Sequence, residues 1–199
     1  MLILASKSPR RNELLQSAGF EFEIKTVDSA EVFDMSKGLQ EALLDVAYQK
    51  GFSVFKNNPN DTVISADTIV VCNNEVLGKP KDYNDAVRML SMLSNKTHQV
   101  YTGVVIFNKY KTISFVEKTD VYFKEITLAE IEEYISLENV FDKAGAYAIQ
   151  GYARNFITKY VGDYENVIGL PIKKVTKELN MIKEKSGLWP LFILLYLLI

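Results

Sequence analysis

Apolar positions recur with two different periods along this chain, and the points where one period gives way to the other mark its elements. Leu2-Ile3-Leu4 is a short apolar run that ends in the polar stretch Ala5-Ser6-Lys7-Ser8-Pro9-Arg10-Arg11, which predicts a strand leading through a turn into a helix. Ser8 takes the N-cap position of that helix and Pro9 its first turn, where a missing N–H costs nothing; Leu14 and Leu15 form its apolar face and Gly19 its stop. Residues 20–33 mix extended apolar positions with acids and lead into a loop bearing Asp28, Glu31 and Asp34. Leu43, Leu44, Val46 and Ala47 at helical spacing predict a helix over 39–50, followed by a turn over 57–61.

Residues 62–72 are rich in β-branched side chains and predict a buried strand, interrupted by the polar Ser65-Ala66-Asp67-Thr68. A Gly78-Lys79-Pro80 turn leads to Asp82, an N-cap for a helix with Ala86, Val87, Leu90 and Leu93 on one face. Two strand-like segments, 99–107 and 112–123, flank Asn108 and predict a hairpin. Thr127 and Glu130 have capping-box spacing and open a helix to Leu137, and a last amphipathic helix after Pro171 carries Val175, Leu179 and Ile182. Strands alternate with helices, so the expected class is α/β; the hairpin makes the sheet mixed rather than purely parallel.

Composition narrows the classes of function. With 199 residues, 48% of them hydrophobic, the chain can bury a sizeable core, and its net charge of −2 argues against a non-specific nucleic-acid binder. Any phosphate site must therefore be a local concentration of charge. The single cysteine, Cys72, excludes an intramolecular disulfide and a thiolate zinc cluster, and its apolar run predicts a buried strand residue. The first residues lack the layout of a secretory signal, which leads to an expectation of a cytoplasmic protein.

Candidate chemistry falls on four places. Ser6, Ser8, Arg10 and Arg11 surround a helix N-terminus, whose free N–H groups and dipole favour an anion such as phosphate; a capped surface helix with solvated arginines is the alternative. Asp67 is an acid inside an apolar strand, where an ionised carboxylate must be paired, coordinate a metal or face a cleft. Lys79 follows in its Gly-Lys-Pro turn, and Lys50 is expected to end the preceding helix, where the helix dipole alone would account for it. In Asp142-Lys143-Ala144-Gly145-Ala146-Tyr147-Ala148-Ile149-Gln150-Gly151 the glycines allow close backbone approach, and Gln150 offers both donor and acceptor to a base edge. The chain has no phosphate-binding lysine loop, dinucleotide glycine fingerprint or HExxH helix, and its single histidine, His98, lacks a partner motif and reads as structural.

The strings LASKSPRR, SADTIV, LGKP, HQVYTGV, DKAGAYAIQG and GDYENVIGLP stand in the order and approximate spacing of the Maf family, which the chain resembles up to about residue 182. The resemblance implies a mixed, twisted sheet flanked by helices, related to the inosine triphosphate pyrophosphatases, with two lobes around a nucleotide cleft and frequent homodimers. It implies hydrolysis of nucleoside triphosphates to the monophosphate and pyrophosphate with a divalent cation, Mg or Mn. By the same resemblance Asp67 is the proton acceptor or a metal ligand, Ser6, Arg10, Lys50 and Lys79 hold the triphosphate, and Glu31 has a metal or catalytic role. Arg10, Thr68 and Gln150 resemble the specificity set of the branch acting on dTTP and UTP. A nucleotide-binding regulator of septum formation is the alternative function.

Residues 1–185 are thus expected as the domain and 186–199 as an apolar tail. Leu188 to Ile199, twelve residues, would span roughly 18 Å as a helix at ~1.5 Å per residue, short of the ~30 Å hydrocarbon core of a bilayer. The tail is expected to cover an apolar surface or a dimer contact, with a membrane-interface contact as the alternative.

Overall fold

The computed structural model describes residues 1–27 and 32–185. The expected mixed α/β class is found. The described residues form a seven-stranded sheet in the order β2-β1-β3-β5-β6-β7, with β4 paired to β3 off that path. In chain order the strands are β1 (Leu2–Leu4), β2 (Glu23–Ile24), β3 (Thr62–Cys72), β4 (Glu75–Leu77), β5 (Thr97–Phe107), β6 (Thr112–Phe123) and β7 (Ile157–Val161); the helices are α1 (Pro9–Ser17), α2 (Leu39–Phe55), α3 (Tyr83–Leu93), α4 (Leu128–Leu137), α5 (Tyr164–Ile168) and α6 (Ile172–Lys185). β1 runs parallel to both β2 and β3, and the remaining pairings are antiparallel.

β3 organises the core, because successive side chains leave it on opposite faces. Val63, Ser65, Asp67, Ile69 and Val71 turn toward α2: Ala47 and Val54 pack with Val63 and Phe107, Leu43 packs with Ile69 and Val71, and Ser65 Oγ donates to the Ala47 carbonyl at 2.7 Å. Ile64 and Ala66 turn the other way, against Leu15 of α1 and Val175 and Leu179 of α6. Val70 and Cys72 continue that face into a cluster with Ala86, Leu90 and Leu93 of α3 and Ile131 and Tyr134 of α4. The two clusters divide at Thr68.

The caps read from the sequence hold at Asp82, which accepts from the Asp85 amide, and at Thr127 and Glu130, which form a reciprocal capping box. Ser8 does not cap with its side chain; its N–H instead donates to Ser6 Oγ at 3.2 Å. α2 does not end at Lys50 but continues to Phe55, so Lys50 lies within the helix and not at its dipole end. Gly51 follows within the helix. A Cβ on it would lie 2.3 Å from Ser65 Oγ and 2.5 Å from the Phe107 ring, so its missing side chain is what lets α2 approach the sheet. Three strands lie where the sequence pattern named none: β2 within the mixed stretch 20–33, β4 and β7. β4 follows an Asn73-Asn74 turn with φ of 50° and 65°, the left-handed pair a tight hairpin requires, and β7 lies in the aromatic-rich stretch.

Candidate active site

The sheet has a gap, and the candidate site lies in it. On one edge β3 pairs without interruption with β5 from Val63 to Val71. On the other edge β1 leaves after Leu4↔Ile64 and the Ala5 amide bonding the Ile64 carbonyl at 2.7 Å, and β4 joins only at Val70↔Leu77. Between these contacts the edge of β3 has no partner strand, and a cleft of about 790 Å³ opens there. Asp67 and Thr68 sit at the gap and reach it from opposite faces of the strand.

Ser6, Arg10, Lys50, Asp67, Thr68, Lys79 and Gln150, drawn from widely separated parts of the sequence, all line this cleft. Glu31, expected beside the metal, lies outside the described residues. On the α2 side, Lys50 Nζ donates to Asp67 Oδ1 at 2.6 Å, with both side chains about four-fifths buried. The acid in the apolar strand is thus paired and faces a cleft, as its cost of burial requires. On the opposite side, Arg11 Nη2 donates to Thr68 Oγ1 at 2.9 Å, Nη1 to Ser6 Oγ at 3.2 Å and Nε to the Gly169 carbonyl at 2.7 Å. Thr68 Oγ1 lies 3.0 Å from Thr102 Oγ1, and that hydroxyl also bonds the Asn166 carbonyl.

Arg10 reaches across the mouth to Asp142, with Nη1 donating to Oδ2 at 2.7 Å and Nη2 to the main-chain carbonyl at 3.3 Å. Burial pushes the Asp142 carboxyl up, but the bonds from Lys143 and Arg10 outweigh it and hold the group below the ordinary carboxylate range. Lys79 and Gln150 are exposed at the rim, and the Gln150 amide bonds none of the described residues, so it is available to a ligand. Lys7, Arg10, Arg11, Lys50, Lys79 and Lys143 face only Asp67 and Asp142 among the described lining residues. A chain of net negative charge therefore carries a locally cationic cleft, suited to a polyanion.

The lining also bears on a divalent cation. Among the described residues no group of three or more His, Cys, Asp or Glu converges. A magnesium-type ion needs no such cage, since it keeps several waters and takes one or two carboxylates together with substrate phosphates. A carboxylate placed like that of Asp67 would be a hard oxygen ligand of that kind, so the lining is compatible with such an ion.

The sequence places Arg11 beside Arg10 as fixed charge and forked donors for an anion; the structure instead gives those donors acceptors within the protein. Its three bonds show a structural fork that ties α1, β3 and Gly169 together. Asn166 was also passed over: it is fully buried, with Nδ2 donating to the Val100 carbonyl and to Thr119 Oγ1 at 3.0 Å each. Its signal was Asp163 three residues earlier, the cap that accepts from the Asn166 amide.

The family model for Maf-like protein matches residues 1–182. The chain belongs to the Maf-like family. This Maf-like protein is 45% identical over 179 residues to a Bacillus cereus protein named dTTP/UTP pyrophosphatase, covering 90% of this chain and 94% of the relative. A Bacillus anthracis protein of the same name is 44% identical over the same shares of both chains. Among the described residues of the Maf-like protein, no helix is long and apolar enough to cross a membrane; the apolar tail lies outside them.

Proposed function

We propose that this Maf-like protein is a nucleoside triphosphate pyrophosphatase acting on dTTP and UTP, releasing the nucleoside monophosphate and pyrophosphate. The observation that carries the reading is the Lys50–Asp67 pair, set at a bare strand edge within a cationic cleft. The names of the relatives supply the substrate.

In this reading the triphosphate lies against the start of α1, where the first-turn N–H groups, the Ser6 hydroxyl, Arg10 and Lys79 offset its charge. Asp142 uses two of the five guanidinium N–H donors of Arg10 and fixes the fork in direction, leaving the others for phosphate or base. Asp67 takes the proton of the attacking water on Oδ2, the oxygen left by Lys50 on Oδ1, and Lys50 orients the carboxylate. Asp67, with Glu31, is the proposed holder of a Mg or Mn ion, which when bound neutralises charge on the phosphates. Gln150 reads the carbonyl and imide edge of the pyrimidine, to which an amide is complementary, and Thr68 with Arg10 completes the specificity set.

The test is release of monophosphate and pyrophosphate from a panel of nucleoside triphosphates, with magnesium or manganese, by the purified protein and by Asp67→Asn. Turnover of dTTP and UTP that vanishes in the variant supports the reading. Absence of turnover with every nucleotide by folded protein overturns it.

A further inference from the structure

His98 has no part in the chemistry above, yet it is fully buried on β5 with Nε2 2.7 Å from the Tyr147 hydroxyl. Its ring packs edge-on against Phe123 and Tyr147, with centroids 4.9 and 5.3 Å away, and Phe123 closes the triangle on Tyr147 at 4.9 Å. Nδ1 has no hydrogen-bond partner among the described residues. With the proton on Nδ1, Nε2 accepts from Tyr147 and one donor is left over; the other tautomer leaves both the tyrosine proton and a ring nitrogen unpaired. The first is therefore favoured. A third apolar ring in place of His98 would pack without this desolvation, so what the polar pair adds is direction.

The direction it sets is that of the cleft wall. Tyr147, Ala148, Ile149 and Gln150 all line the cleft. Immediately before them Gly145 and Ala146 take φ of 67° and 62°, a left-handed pair that a buried alanine holds only where its surroundings fix it. One end is fixed by the Gly145 amide on the Gly78 carbonyl at 2.9 Å and by Val70, which a Cβ on Gly145 would meet at 2.9 Å. The other end is fixed by Tyr147 on His98.

We infer that His98 is a positioning residue for base recognition: through the Tyr147 hydroxyl it fixes segment 147–150, and with it the Gln150 amide. This rests on reading the cleft as a pyrimidine triphosphate site.

The experiment compares Tyr147→Phe, His98→Leu, their double variant and His98→Gln, whose amide oxygen can accept from Tyr147. kcat and KM are measured for UTP, dTTP and GTP. The expected result is a roughly tenfold rise in KM for UTP and dTTP, a reduced preference over GTP, and kcat within about threefold of the parent. The double variant is no worse than the worse single one, and His98→Gln recovers most of the loss. Tyr147→Phe conserves the ring and decides the matter should His98→Leu fail to fold. Unchanged KM and preference in folded Tyr147→Phe overturn the inference, as does an equal fall in kcat for all three nucleotides. A parent enzyme without pyrimidine preference would instead overturn the substrate reading, while the KM values still decide the role of His98.

Discussion

Lys50 Nζ stands 2.6 Å from Asp67 Oδ1, an ammonium in the middle of α2 meeting a carboxylate in the middle of β3. Neither group belongs in the apolar layer between helix and sheet unless the other is present, and the pair occurs where the edge of β3 is bare. Asp67→Asn keeps the shape and removes the proposed proton acceptor, so kcat for UTP is expected to fall at least about 10³-fold with the fold intact. Lys50→Met leaves Asp67 without its orienting charge, and kcat/KM is expected to fall roughly 10- to 100-fold. Pyrophosphate release and far-ultraviolet circular dichroism check both.

Arg11→Lys replaces a fork with a point charge that cannot reach Ser6 Oγ, Thr68 Oγ1 and the Gly169 carbonyl together. Loss of about 1–3 kcal/mol of stability is expected from the unpaired groups, with KM for the triphosphate raised roughly tenfold. Urea unfolding and steady-state kinetics measure the two effects separately.

Gly51→Ala sets two effects against each other. Alanine favours the helix by about 1 kcal/mol, but its Cβ would meet Ser65 Oγ at 2.3 Å and Phe107 at 2.5 Å. Ser65 is held to the Ala47 carbonyl and Phe107 is packed by Tyr48 and Phe55, so neither gives way readily. The clash prevails, and a net loss of about 1–2 kcal/mol is expected, read as a lower urea midpoint.

The His98 imidazole is lowered by burial from its ordinary 6.5 to about 3. Between those values the unfolded chain binds a proton there and the native chain does not, so stability falls as pH drops from about 6.5 toward 3. This one group contributes a slope of at most about 1.4 kcal/mol per pH unit. His98→Gln is expected to show a shallower decline than the parent when urea midpoints are compared at pH 7, 5 and 4.

Where one face of an element is buried, its pattern was legible: β3 and β6 lie at the expected bounds, and α3 and α4 begin at the caps their sequences announce. α2 runs five residues past the expected end at Lys50, because Gly51 and Val54 continue the face packed on the sheet, Gly51 by its contact with residues 65 and 107. β2, only two residues long, and β4, only three, are held in place by neighbours more than by any period of their own. Asp67 was identifiable from its cost in an apolar strand. The acceptors of the Arg11 fork were not, since they come from residues 6, 68 and 169 and only the folded chain brings them together.

Asp67 pairs with Gly103 and Thr68 with Thr102, and the two side chains leave β3 on opposite sides. Sliding β3 by a single position would send the carboxylate to the Arg11 wall and the hydroxyl to the Lys50 wall. The alignment of two neighbouring strands is therefore also the handedness of the proposed reaction centre. An inserted residue between 62 and 67 would silence the enzyme even if the sheet re-formed around it, while one in the turn at Asn108, where the side chain merely gathers the amides of Tyr110 and Lys111, would be tolerated.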